Sequence, residues 1–296
     1  MTFPRPARLL ASALAALLLA SALAETAEAA TKRKRRTRRK PAPIPAIPRP
    51  HDPFEVTFAT ADGVRLHATW KPSPAGAAAP AVLLVHAFSR ERRDLAELAD
   101  ELLARGFSTL AVDLRGHGES VWKGGARIGL SPSLQTSPSA FPRDVEAACA
   151  WLKGRASRIG IVGFSLSGNL AALATAAGWA EAGVAVSAYA DRLPALAGSR
   201  PTTPRGLLVL ASEADPGRAE SARTLDAAGQ EPKAVAVFPG AAHALDLLRF
   251  EPGAKNATIE WLEARLSPIP PLPVATAAPE APEAAPAEQP SAEGVE

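Results

Sequence analysis

Six short, largely apolar runs constrain the fold of this chain more than any other feature: Ala81 to Val85, Thr109 to Val112, Ile159 to Val162, Val184 to Ala188, Leu207 to Leu210 and Ala234 to Phe238. Each is too short for a helix, and none alternates with polar residues as a strand with one wet face does. Such runs mark parallel strands buried on both faces. The gaps between them carry helical periodicity: Leu95, Leu98, Ala99, Leu102 and Leu103 recur at helix spacing before Gly106, and Val145, Ala148, Cys149 and Leu152 repeat the pattern. Ahead of the first run, Phe54 to Thr60 and Val64 to Trp70 flank the turn pair Asp62-Gly63, and Val64, Leu66, Ala68 and Trp70 share one face. The prediction is an α/β fold: a mostly parallel, twisted sheet opened by an antiparallel hairpin and covered by helices on both faces.

Open sheets of this kind place their chemistry at the carboxyl ends of the strands. After Ile159 to Val162 comes Gly163-Phe164-Ser165-Leu166-Ser167-Gly168, and then a helix-forming stretch. A serine squeezed between strand and helix needs small neighbours, and the turn leaves its hydroxyl exposed at the helix N-terminus. There the Leu166 N–H points at a developing oxyanion. A serine hydroxyl needs a base, and His243 is the sole histidine downstream. Asp215, just past the strand Leu207 to Leu210, completes the order serine, acid, histidine that such an elbow requires. Asp191, which follows the preceding strand, is the alternative acid.

These residues, with Leu83-Leu84-Val85-His86-Ala87-Phe88 and Val112-Asp113-Leu114-Arg115-Gly116-His117-Gly118-Glu119-Ser120, resemble the α/β-hydrolase superfamily over roughly residues 54–266. The resemblance is strongest to the small lidless serine esterases and the dienelactone-hydrolase-like branch. It implies an α/β-hydrolase fold without a large lid, and a serine esterase with Ser165 as nucleophile, His243 as base, Asp215 as the orienting acid, and the N–H groups of Phe88 and Leu166 as oxyanion hole. Dienelactone hydrolases proper use a cysteine nucleophile, so Ser165 points to ester hydrolysis. Two positions depart from the pattern: Ser167 stands where the elbow's second glycine is expected, and Ala87 where a glycine neighbours the oxyanion residue. An Ala87 forced to positive φ would be strained by on the order of 1 kcal/mol. His86 and His117 read as structural, the first ordering the oxyanion loop.

No spacing of His, Asp and Glu suggests a metal and no Gly-rich phosphate loop follows a strand, so neither a metal nor a cofactor is expected. Cys149, the single cysteine, lies on the apolar side of its helix and reads as a core thiol. The short connection between Val184 to Ala188 and Leu207 leaves no room for a cap domain, so the site is expected to be open. The loop Val121 to Pro142, with Trp122, Leu130, Leu134 and Phe141, is expected to wall the pocket. A small-molecule ester of short or medium acyl chain is the expected substrate. A thioesterase or peptidase on the same scaffold, and an inactive binding protein held at an anionic surface, are the alternatives.

The ends differ from the middle. The net charge of +3 divides into +9 over residues 1–50, −5 over residues 267–296 and −1 between them, so the folded part offers no basic surface to nucleic acid. Residues 1–29 hold Arg5, Arg8, a sixteen-residue largely apolar run and small-residue cleavage sites, and read as a signal peptide for export. Eight bases between Lys32 and Lys40 follow directly, which keeps a membrane anchor with a cytoplasmic domain as the alternative and offers a contact for anionic surfaces. Residues 30–53 read as a basic, then Pro-rich linker, residues 54–266 as the catalytic domain, and residues 267–296 as a disordered Pro/Ala/Glu tail. Oligomeric state has no signature in the sequence.

Overall fold

The computed structural model describes residues 52–130 and 138–267. The segments read as signal, linker and tail lie outside them, apart from Asp52, Pro53 and Ser267. The described residues build one sheet of ten strands. The chain opens with β1 (Glu55–Ala59) and β2 (Val64–Lys71), an antiparallel pair turned at Gly63, whose φ of 82° suits a residue without Cβ. Then follow β3 (Ala81–Val85), α1 (Ala96–Ala104), β4 (Ser108–Val112), β5 (Trp122–Lys123), β6 (Ala126–Arg127), α2 (Pro142–Leu152), β7 (Ile159–Phe164), α3 (Leu166–Ala176) and β8 (Ala182–Val186). The remainder is α4 (Leu193–Ala197), β9 (Arg205–Ser212), α5 (Arg218–Ala228), β10 (Gln230–Phe238), α6 (Leu245–Phe250) and α7 (Pro252–Leu266).

The strand order is β10-β9-β8-β7-β3-β4-β2-β5-β6, with β1 also paired to β2. The strands from β10 to β4 run parallel, and β2 joins β4 antiparallel. The sheet is therefore doubly covered, and strand pleating sorts the side chains. Leu83, Val85, Leu110, Val112 and Ile161 pack under α2 and α3, whereas Val82, Leu84, Val162, Val184 and Leu210 pack under α1, α6 and α7. A further cluster seats α4 and α5 on Ala185, Leu207, Val209 and Ala211. In the central strand β7, Gly160 lets α7 pack close: a Cβ there would lie 2.6 Å from the Leu266 side chain, at the end of α7, and would force that side chain to shift.

Three expectations shift at this level. Strand β8 runs Ala182–Val186 rather than Val184 to Ala188, because Ser187 turns to φ 52° and takes the chain out of the sheet. The loop Val121 to Pro142 contains a small hairpin, β5 and β6, turned at Gly124 and Gly125 with φ 53° and 83°, the left-handed pair a two-residue turn demands. That hairpin pairs with β2, so Trp122 flanks the sheet beside Phe58 and Arg65, in a groove of about 630 Å³ separate from the cavity at Ser165. Phe141 is fully buried in the core. The expected pocket wall is thus not supplied by any described residue of this loop; Leu134 lies outside the described residues. The connection from β8 to β9 holds only a short turn and the five-residue α4. Among the described residues no helix is long and apolar enough to cross a membrane.

Candidate active site

Ser165 sits between β7 and α3 with φ 56° and ψ −117°, a conformation that costs a non-glycine residue on the order of 1–3 kcal/mol. Its surroundings enforce it. The Ser165 N–H donates to the Val186 carbonyl at 2.8 Å. The turn is so tight that a Cβ on Gly163 would lie 1.9 Å from the Ser167 carbonyl oxygen, and one on Gly168 would lie 2.9 Å from the Ala188 Cβ. The hydroxyl is thereby presented at the N-terminus of α3.

His243 follows β10, and Asp215 follows β9. The His243 Nδ1 lies 2.6 Å from Asp215 Oδ2 and its Nε2 lies 3.0 Å from Ser165 Oγ. A carboxylate only accepts, so Nδ1 carries the ring proton and Nε2 is left to accept from the serine hydroxyl. Ser165 and Asp215 are buried, and the imidazole is partly open to solvent. Asp191 lies exposed on the turn after β8, where the chain has left the sheet at Ser187, and the carboxylate bonded to the imidazole is that of Asp215.

Facing Ser165 is the loop after β3. Ala87 does not adopt positive φ; the left-handed residue of this loop is Ser89, with φ 65°. The strain anticipated for Ala87 is therefore absent. Ser167 fills the place of the expected glycine without penalty, since its hydroxyl donates to the His86 carbonyl at 2.6 Å and ties the elbow to this loop. His86 is buried, with Nδ1 2.8 Å from the Ala87 carbonyl and Nε2 accepting from the Leu114 N–H at 3.1 Å. His117 repeats this arrangement, with Nδ1 3.0 Å from the Arg115 carbonyl and Nε2 accepting from the Ser89 N–H at 3.1 Å. An Nε2 that accepts must be unprotonated, so both rings are neutral and hold the loop by its backbone. Burial lowers the pKa of His86 to about 4 and also lowers that of His117. The backbone N–H groups of Phe88 and Leu166 find no acceptor among the described residues.

A cavity of about 220 Å³ opens beside Ser165 and His243, with Phe88, Phe164 and Leu245 as apolar wall and Arg90 and Arg249 among its polar lining. Drug-sized ligands occupy roughly 300–1,000 Å³, so this space suits a small group. Among the described residues, the cluster with metal-ligand types at suitable spacing is Glu55, His67 and Glu119. Its centre of positive charge is already the Arg92 guanidinium, which donates to both carboxylates. Cys149 is buried in the core, its thiol pushed up to about 12 by desolvation.

Two further hydroxyls enter the site that no spacing in the sequence singles out. Ser212, the last residue of β9, donates to the Ala242 carbonyl at 2.6 Å, and Ser187 accepts from the Ala244 N–H at 3.0 Å. Buried serines at strand ends carry no periodic signal, and their partners lie 30 and 57 residues away in sequence.

The sequence profile of the dienelactone hydrolase family matches residues 68–262. No curated protein sequence matches the chain. Among solved structures, an esterase of Pyrococcus furiosus superposes with a TM-score of 0.57 at 19% identity, over 72% of this chain and 91% of that one. A dienelactone hydrolase of Anabaena variabilis gives 0.54 at 21% identity, over 73% and 100%. An α/β hydrolase of Novosphingobium aromaticivorans gives 0.52 at 19% identity, over 71% and 97%. These structural likenesses establish the α/β-hydrolase fold.

Proposed function

Since the chain belongs to the dienelactone hydrolase family and is therefore a hydrolase, we propose that it is a serine esterase acting on small carboxylic esters through Ser165, His243 and Asp215. The observation that carries this reading is the hydrogen-bonded line from Asp215 through His243 to Ser165, with spans of 2.6 and 3.0 Å.

Ser165 Oγ attacks the ester carbonyl as His243 Nε2 takes its proton, and Asp215 keeps the imidazole in the Nδ1–H tautomer and stabilises the imidazolium. The oxyanion is received by the Phe88 and Leu166 N–H groups, which have no other acceptor among the described residues to give up. The imidazolium then protonates the leaving alcohol, an acyl-enzyme remains on Ser165, and water repeats the two steps in reverse. No cofactor takes part in this cycle. The small cavity favours short acyl groups. An inactive binding role loses its support, because neither Ala87 nor Ser167 distorts the loop.

The test is hydrolysis of p-nitrophenyl esters from acetate to decanoate by the full chain, together with labelling by a serine-directed fluorophosphonate. Turnover that declines with chain length and vanishes in Ser165→Ala is expected; a folded protein that neither turns over nor labels would overturn the reading. Export, and contact of residues 32–40 with an anionic surface, belong to the same proposal. Cell fractionation and binding to anionic against neutral vesicles check them.

A further inference from the structure

We propose that Ser187 and Ser212 are positioning residues that clamp the backbone on either side of His243 and so set the distance between its Nε2 and the Ser165 hydroxyl. This rests on the esterase reading for its consequence, though not for its geometry. The clamp has two jaws at the carboxyl ends of neighbouring strands. At the end of β9, Ser212 Oγ–H donates to the Ala242 carbonyl at 2.6 Å; just past β8, Ser187 Oγ accepts from the Ala244 N–H at 3.0 Å. Both serine side chains are fully buried; the Ser187 bond is sealed from water, and the Ser212 bond is partly so. The residues immediately before and after His243 are thus each tied to a different strand.

The clamp also reaches the nucleophile. Ser187 and Ala244, bonded to one another, both hold left-handed φ, 52° and 55°, which non-glycine residues keep only where their surroundings over-determine them. Two residues beyond Ser187, the Tyr189 backbone is gripped at both its N–H and its carbonyl by the Asn169 side chain on α3. Ser165 stands at the start of that same helix. A continuous path therefore runs from the nucleophile's helix through Asn169, Tyr189 and Ser187 to Ala244, and fixes base against nucleophile without adding a charge near the imidazole.

The experiment compares Ser187→Ala, Ser212→Ala, the double variant and Ser212→Thr in the full chain. It reads kcat and KM on p-nitrophenyl acetate, the pH profile of kcat/KM, Tm, and the downfield Nδ1 proton resonance of His243, assigned by its absence in His243→Gln. Misplacement of a reacting group by about 1 Å can cost on the order of a hundredfold in rate. Each alanine variant is accordingly expected to lose about tenfold in kcat and the double about a hundredfold, with KM within about twofold of wild type. The Nδ1 resonance should broaden, and Ser212→Thr, which keeps the hydroxyl, should recover most of the loss. A double variant with wild-type kcat and an intact resonance overturns the clamp, as does Ser212→Thr failing like Ser212→Ala. If the double variant does not fold, the single variants decide by the same criteria. If the wild type neither turns over nor labels, the esterase reading falls, and the Nδ1 resonance alone then judges the clamp.

Discussion

The two halves of the sheet's carboxyl edge are fastened by different chemistry. Around Ser165, His243 and the loop after β3, the ties are uncharged: serine hydroxyls and neutral imidazoles bonded to backbone groups. Around the turn after β4 the ties are ionic. Buried Arg92 pairs with Asp113, Glu55 and Glu119, and Arg115 pairs with Asp144 and Asp62. The difference fits the proposed function. In the proposed mechanism His243 gains and loses a proton during turnover, which a fixed charge in its own ties would perturb, so neutral ties suit its loop. The proposed mechanism routes no proton through the turn after β4, and there Arg92 can gather four carboxylates, with Asp52 the most distant at 3.9 Å.

If this division is right, substitutions on one side should act on rate and those on the other on stability. The largest effect expected is Ser165→Ala, a loss of about four to six powers of ten in kcat with Tm unchanged or raised, measured by ester hydrolysis and calorimetry. Asp215→Asn should cost about 10⁴ in kcat through the wrong tautomer, while leaving the unfolding transition nearly in place. Arg92→Ala inverts the pattern. Stranding buried Asp113 should cost about 3–5 kcal/mol in denaturant unfolding, yet the folded fraction should retain kcat within about threefold; a rate loss out of proportion to unfolding would break the comparison.

Acid should expose the weak point of the neutral half. His86 has its folded-state pKa lowered to about 4 from the ordinary 6.5, so the unfolded chain binds the proton first. Its contribution is fully present above about pH 6.5 and is lost as pH falls through about 4, on the order of 3 kcal/mol in all. Unfolding free energies from pH 7 to 4, compared between wild type and His86→Gln, measure it; a slope unaltered by the replacement removes His86 from the account. The smallest effect expected is from Ala87→Gly. Because Ala87 does not occupy a left-handed conformation, restoring the family's glycine should destabilise by about 0.5–1 kcal/mol rather than relieve strain, and chemical denaturation distinguishes the sign.

Legibility in the sequence followed the same physics. The buried strands were readable because burial on both faces leaves continuous apolar runs, and the elbow because Gly163 and Gly168 have no space for a side chain. Ser165, His243 and Asp215 were readable from their order, and the structure brings the three together. What stayed hidden depends on contacts far apart in the chain. The end of β8 is set by the φ of Ser187, the clips of Ser187 and Ser212 are long-range, and the edge hairpin rests on Gly124-Gly125 with strands of two residues, too short for any periodicity. The pocket wall was misassigned for a related reason: Trp122 and Phe141 are large and apolar, but pairing with β2 and burial in the core claim them before the site can.

The contact of Leu266 with Gly160 also bears on the order of assembly. The strand that leads into Ser165 is closed on one face by the final turn of the last described helix, more than a hundred residues later. A chain that emerges amino end first, from a ribosome or through a translocation pore, cannot seal that strand until its carboxyl-terminal helix has arrived. Ser165 therefore has no finished setting during synthesis, and the hydrolase becomes competent only when nearly the whole domain is free in one compartment.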